Sequence, residues 1–174
     1  MTNSEIADLS LKYGAVQKKE ELVWLLDILS NSSPRKLAVE LGVYYGATFY
    51  AFSQFFDQVV WIDLKKIPFA FEQRSSDKML LGDTCDPALV QSVTDPIDFL
   101  FIDANHHYEY VARDFKTWKS KIRPGGLIAF HDIHGAPNGD GAKQLWEDLV
   151  RSAVYPTRQM IVADKYYGIG VLSL

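Results

Sequence analysis

The sequence predicts an α/β fold, a doubly wound, mostly parallel seven-stranded sheet closed by an antiparallel C-terminal hairpin. Three observations carry that prediction. Short apolar runs alternate with segments whose apolar residues recur at helical spacing. The run Leu37 to Leu41 passes through a turn bracketed by Gly42 and Gly46 into Ala47, Tyr50, Ala51 and Phe55, which reads as strand, tight turn, helix. Crossovers this short require parallel neighbours, because such connections are right-handed and pack back on the sheet.

Taken in order, residues 1–19 are polar with little periodicity and read as a loosely held arm. Leu22, Leu25, Leu26 and Leu29 form one apolar stripe, so a helix runs from Glu20 to about Ser30 and stops in Asn31-Ser32-Ser33-Pro34. After the opening strand and its helix, Gln58 to Leu64 is a second strand and Met79 to Leu81 a third. Asp86-Pro87 supplies an N-cap with proline at the first helical position. Ile97 to Ile102 is a fourth strand, followed by a helix with Tyr108, Val111, Phe115 and Trp118 on one face. Arg123-Pro124-Gly125-Gly126 reads as a turn with glycine where a type II turn needs it, and Leu127 to Phe130 as a fifth strand. Residues 133–141 read as a loop, Ala142, Leu145, Trp146 and Leu149 as a helix, and 155–163 with 167–174 as a hairpin turning at Asp164-Lys165.

The chain has 174 residues, enough for one domain over 1–174, with 1–33 as an N-terminal arm and helix and 36–174 as the core. A net charge of −4 without a Lys/Arg cluster argues against nucleic acid as a partner. The single cysteine, Cys85, excludes an internal disulfide and fits a reducing compartment. The N-terminus lacks a signal-peptide pattern and no apolar run reaches membrane-spanning length, so the expectation is a cytoplasmic protein without a membrane partner.

Polar residues gather at the strand ends. Glu40, Asp63, Asp83 and Asp103 end or follow four successive strands, and His131-Asp132 the fifth. In this topology all those ends share one edge, where open α/β sheets bind ligands. The turn has the spacing Glu-x-Gly-x-x-x-Gly, which differs from the Gly-x-Gly-x-x-Gly of a pyrophosphate cradle. Asp63 lies 21 residues beyond Gly42, near the distance expected of an acid that receives ribose hydroxyls. An acidic rim favours a ligand that carries positive charge.

These residues form a pattern. Glu40 through Thr48, Asp63, Gly82-Asp83, Phe101 through Glu109 and Arg123 through Asp132 together resemble a class I S-adenosylmethionine-dependent methyltransferase with a Rossmann-like fold. Within that superfamily they look most like the small enzymes related to cephalosporin-biosynthesis and macrolide-sugar O-methyltransferases. The resemblance implies that Gly42 and Gly46 pass under the methionine portion of the cofactor, with Thr48 near its carboxylate and Glu40 supporting the turn or the ammonium group. It implies that Asp63 takes the ribose hydroxyls and Asp83 borders the adenine. It sets Asp103 beside the cofactor, and Asp103, Asp132 and His131 where metal-dependent relatives hold a divalent cation such as Mg²⁺. Several of those relatives carry an acid at the position of His131, and imidazole suits Mg²⁺ poorly. His106, or Asp103, is implied as the general base, since imidazole is mostly free to take a proton at neutral pH. Asn105 stands where relatives often have Asp, and Tyr44, Tyr45 and Trp146 are expected around an acceptor pocket. The implied reaction is O-methylation of a small hydroxylated acceptor, in a protein that could assemble as a homo-oligomer. A metal-dependent hydrolase using His106, His131, Asp132 and His134 is one alternative, and a binding protein that kept the fold without the chemistry is another.

Overall fold

The computed structural model describes residues 1–66, 68–162 and 165–174. Its strands are β1 (Leu37–Leu41), β2 (Gln58–Asp63), β3 (Lys78–Leu81), β4 (Ile97–Ile102), β5 (Ile122–His131), β6 (Thr157–Met160) and β7 (Ile169–Ser173). They form one sheet in the order β3-β2-β1-β4-β5-β7-β6. β3, β2, β1, β4 and β5 are parallel, and β7 runs antiparallel to both β5 and β6, as the sequence predicts. The central strands β1 and β4 are buried along their whole length, which is why they read as unbroken apolar runs.

Among the described residues, six α-helices cover the two faces: α1 (Asn3–Lys12), α2 (Lys19–Ser30), α3 (Ala47–Ser53), α4 (Pro87–Ser92), α5 (Tyr108–Trp118) and α6 (Gly141–Ser152). Strand residues alternate between the faces. Ala38, Val59, Trp61, Phe99 and Phe101 pack with α1, α2 and α3, while Val39, Leu41, Leu100, Ile128 and Phe130 pack with α5 and α6. Glu40 shares the register of Ala38 and is driven into the first of these layers.

The N-terminal arm is corrected by the structure. Residues 3–12 are helical, with Ile6, Ala7 and Ser10 buried. The cap is reciprocal: Thr2 Oγ1 accepts from the Glu5 amide and Glu5 Oε2 accepts from the Thr2 amide. Two further differences concern the C-terminal half. β5 begins at Ile122 rather than Leu127, because positive φ at Gly125 lets the chain stay paired through a register shift opposite Ile97 and Phe99. The hairpin forms, but of the expected turn Asp164-Lys165, Asp164 lies outside the described residues. Buried Glu21 of α2 accepts from the amides of Val162 and Gly168 and so ties this hairpin to that helix. Among the described residues, no helix is long and apolar enough to cross a membrane.

Candidate active site

The strand order reverses at β1, with β2 and β3 on one side and β4 and β5 on the other, so the switch point of the sheet lies above β1 and β4. The turn there is shaped by a close approach. Gly42 has φ +80°, and a Cβ on it would fall 2.3 Å from the Asp103 carbonyl oxygen and 2.5 Å from the Ala104 Cα. Gly46, at φ +77°, instead seats the turn on Phe69, whose ring would be 2.5 Å from an added Cβ. Two adjoining cavities open above these turns. One, of about 340 Å³, is lined by Gln17, Gly42, Tyr44, Tyr45, Asp63 and Asp103 among others. The second, of about 190 Å³, is lined by Gly42, Asp63, Asp83, Thr84, Arg113 and Asp114 among others.

Asp63 lies where the two cavities meet. Its Oδ2 accepts from the amides of Val43 at 2.8 Å and Tyr44 at 3.2 Å, and Oδ1 accepts from Lys65 at 3.1 Å. Its carboxylate therefore holds the β1 turn and keeps acceptor capacity toward the cleft. Asp83 lines the second cavity, where Arg113 Nη2 donates to its two oxygens at 2.7 and 3.0 Å. The Cys85 amide, helped by Arg113, holds its carboxyl below the usual range against the opposing effect of burial. Glu40 and Thr48 line neither cavity. Both are buried, and Thr48 Oγ1 donates to Glu40 Oε1 beneath the turn. Burial pushes the Glu40 carboxyl well above its ordinary value.

Asp103, which lines the first cavity, also joins buried His131 and Asp132 in a cluster where each residue presents a ligand atom, all within 4.8 Å of one another. His131 Nδ1 lies 3.2 Å from Asp103 Oδ1 and 3.4 Å from Asp132 Oδ2. His106 Nε2 is 3.0 Å from Asp132 Oδ2 and 3.8 Å from Asp103 Oδ1, and its Nδ1 pairs with Asn138 Oδ1. Asp132 sits at φ +59°, a backbone conformation held by its surroundings. Two carboxylates and one imidazole suit a divalent cation, with the carboxylates favouring Mg²⁺ and the imidazole broadening the choice toward softer ions.

The same neighbours set the protonation of the cluster. Hydrogen bonds to Asp103 and Asp132 push His106 up to about 10, against its own burial. Neutral imidazole at pH 7, the premise of a general base, is thus not the form that this geometry favours. Burial opposes charge on His131, while Asp103 and Asp132 favour it and push it up to about 10. Yet among the described residues His131 Nε2 is buried without a partner, and a second ring proton would leave an unpaired donor there. That donor would cost about 1–3 kcal/mol, so the proton of the cluster rests on His106. Burial raises the Asp132 carboxyl, but the two histidines outweigh it and hold it near 2.

Linkage fixes the sign of the pH dependence. His106 is raised in the fold, so its contribution is complete below about 6.5 and fades as pH climbs toward 10. Asp132 is lowered, so its contribution is complete above 3.8 and fades as pH falls toward 2. In chelator-treated protein the thermal midpoint should decline on both sides of that window, and Asp132→Asn should flatten both arms. Equal alkaline slopes in the two proteins would show that the pair does not form.

Other expected residues fall elsewhere. Asn105 Oδ1 accepts from the His107 amide at 2.9 Å and so organises the start of α5. Trp146 is buried, with Nε1 donating to Gln159 Oε1, and is corrected from pocket lining to core because its ring packs on Gly170. Two partners of the cluster, Gln17 and Asn138, carry no local signal in the sequence.

A family model described as a methyltransferase domain matches residues 39–133, which is more than half the chain and contains the turn, Asp63, Asp83, Asp103 and Asp132. The chain belongs to that methyltransferase family. Its fold is shared with solved methyltransferases of low sequence identity. An uncharacterized protein of Sinorhizobium fredii (strain NBRC 101917 / NGR234) is 28% identical over 86% of this chain, which spans 18% of that protein. Among solved structures, MycE methyltransferase from the mycinamycin biosynthetic pathway, in complex with Mg, SAH and mycinamycin VI, superposes with a TM-score of 0.69 at 15% identity. The match covers 99% of this chain and 54% of that one. TomG, an O-methyltransferase of Streptomyces achromogenes involved in tomaymycin synthesis and solved with SAM, gives 0.57 at 16% identity, covering 99% of this chain and 89% of that one. The methyltransferase chain thus spans only a part of several proteins that it resembles.

Proposed function

We propose that this methyltransferase domain binds S-adenosylmethionine in the double cavity and methylates a hydroxyl of a small acceptor beside the Asp103–His131–Asp132 cluster. One observation supports the reading above the others: Asp103 belongs both to the large cavity and to the cluster, so donor and acceptor sites would share a wall. An acid-lined cleft without a phosphate cradle suits a sulfonium nucleoside. Asp63 would accept from the ribose hydroxyls, Asp83 and Thr84 would border the base, and the Gly42 turn would run beneath the amino-acid portion. The bound cofactor supplies a methyl group on a positively charged sulfur. A divalent cation, held by Asp103, Asp132 and His131, would lower the pKa of the acceptor hydroxyl.

The residues of the chain position the two reactants, which is where most of the rate enhancement would arise. Asp103 reaches the cleft directly and is the nearer proton acceptor. His106 stands behind it, already protonated between Asp103 and Asp132, and steadies both carboxylates. S-adenosylhomocysteine should therefore bind the purified protein in calorimetry, and labelled methyl groups should pass from S-adenosylmethionine to a pool of hydroxylated metabolites. Neither heat nor thermal shift with either nucleoside would refute the cofactor assignment. Uptake only by amine acceptors would refute the oxygen assignment.

Asp63→Ala is expected to weaken S-adenosylhomocysteine binding about 10- to 100-fold, in line with roughly 1.5–3 kcal/mol for hydrogen bonds to a charged group. Part of that loss would come through the turn, because the substitution also releases the Val43 and Tyr44 amides. Asp63→Asn, which keeps one acceptor oxygen, should fall between. An unchanged affinity in Asp63→Ala would place the ribose elsewhere.

A further inference from the structure

We infer that Gln17 is the positioning residue of Asp103, turning one of its oxygens toward the His131–Asp132 cluster and withholding the other. The inference rests on the proposed reading of that cluster as a cation site. Gln17 lies between α1 and α2, in the segment Gly14–Gln17 that walls the large cavity. Its Nε2 donates to Asp103 Oδ2 at 2.9 Å, bridging 86 residues of sequence. With Oδ2 so occupied, it is Oδ1 that faces His131 Nδ1 at 3.2 Å and His106 Nε2 at 3.8 Å. A carboxylate can rotate and offer either oxygen; this one is held in register by an amide from another part of the chain.

A second observation separates this role from simple packing. Gln17 is 4% exposed, and among the described residues its Oε1 is buried without a hydrogen-bond partner. An unsatisfied buried carbonyl costs about 1–3 kcal/mol, which offsets much of what the Nε2 bond to Asp103 contributes, so the fold gains little from this amide. The amide therefore opposes stability at Oε1 while it orders Asp103 at Nε2. Residues that orient ligands in this way typically change metal affinity 10- to 100-fold when replaced.

The test uses the full chain saturated with S-adenosylhomocysteine, into which Mg²⁺ is titrated calorimetrically, for the wild type, Gln17→Met and Gln17→Leu. Both variants should bind Mg²⁺ about 10- to 100-fold more weakly. Their Mg²⁺ affinity should fall by more than their S-adenosylhomocysteine affinity, with a thermal midpoint close to the wild type's. Mg²⁺ affinity equal to the wild type's in both variants overturns the inference and leaves the cation site standing. A wild type that takes up S-adenosylhomocysteine but no Mg²⁺ overturns both, with the cofactor assignment intact. Loss of nucleoside affinity alone, or a lowered midpoint in both variants, would make Gln17 a structural wall and equally overturn its positioning role.

Discussion

Asp103→Asn is expected to lower methyl transfer by about 10²- to 10⁴-fold, the range that positioned proton transfer contributes. Asparagine preserves the shape of the side chain and can still accept from Gln17 through its carbonyl oxygen, so the cavity wall should survive. What disappears is the charge that faces His131 and helps to hold the proton of His106. The amide can take no proton from an acceptor hydroxyl and is a poorer cation ligand than a carboxylate. S-adenosylhomocysteine affinity should change little, since Asp63 and the Gly42 turn remain. A kcat/KM comparison with His106→Ala then orders the two residues. His106 lies behind Asp103 and is favoured in its charged form, so its removal should cost less, on the order of 10-fold, by loosening the carboxylates it bridges. The reverse ranking would make His106 the base and require its neutral form at the site.

Much of this arrangement is legible in the sequence because the central strands are buried on both faces. Leu37–Leu41, Gln58–Asp63 and Ile97–Ile102 read as apolar runs, and a polar residue at the end of each marks the edge of the sheet. Parallel topology then gathers those ends without further information. α1 escaped that reading because its buried side is only Ile6, Ala7 and Ser10, too small a stripe to show periodicity. Its one sequence signature is the capping box from Thr2 to Glu5. Glu40 and Thr48 illustrate a different limit. The family resemblance set both beside the cofactor, but the alternation of β1 aims Glu40 at α3, where Thr48 meets it and neither lines the cleft. Gln17 and Asn138 join the cluster through contacts that span 86 and 32 residues, and no local pattern encodes a contact of that reach.

Gly42→Ala should have the largest effect on the fold itself, and its cause is tertiary as well as local. Positive φ alone would cost alanine about 1–2 kcal/mol. Here the added methyl would also meet the carbonyl oxygen of Asp103 at 2.3 Å and the Ala104 Cα at 2.5 Å, and both are backbone atoms at the end of β4 that no rotamer change can move aside. Relief requires β1 and β4 to separate where Asp103 donates to the Leu41 carbonyl, and it disturbs the bond from Gly42 to the Ile62 carbonyl of β2. Overpacking of this kind adds roughly 1–3 kcal/mol, so a total near 2–5 kcal/mol is expected. In a chain of this length each kcal/mol lowers the midpoint by about 2–4 °C, so the drop should be on the order of 5–20 °C in a thermal melt. Gly46→Ala is the informative control, because its methyl would press on the side chain of Phe69, which can yield. A Gly42→Ala protein as stable as the wild type would mean that the β1 turn and the end of β4 do not approach this closely, and the shared wall between cavity and cluster would be lost with that contact.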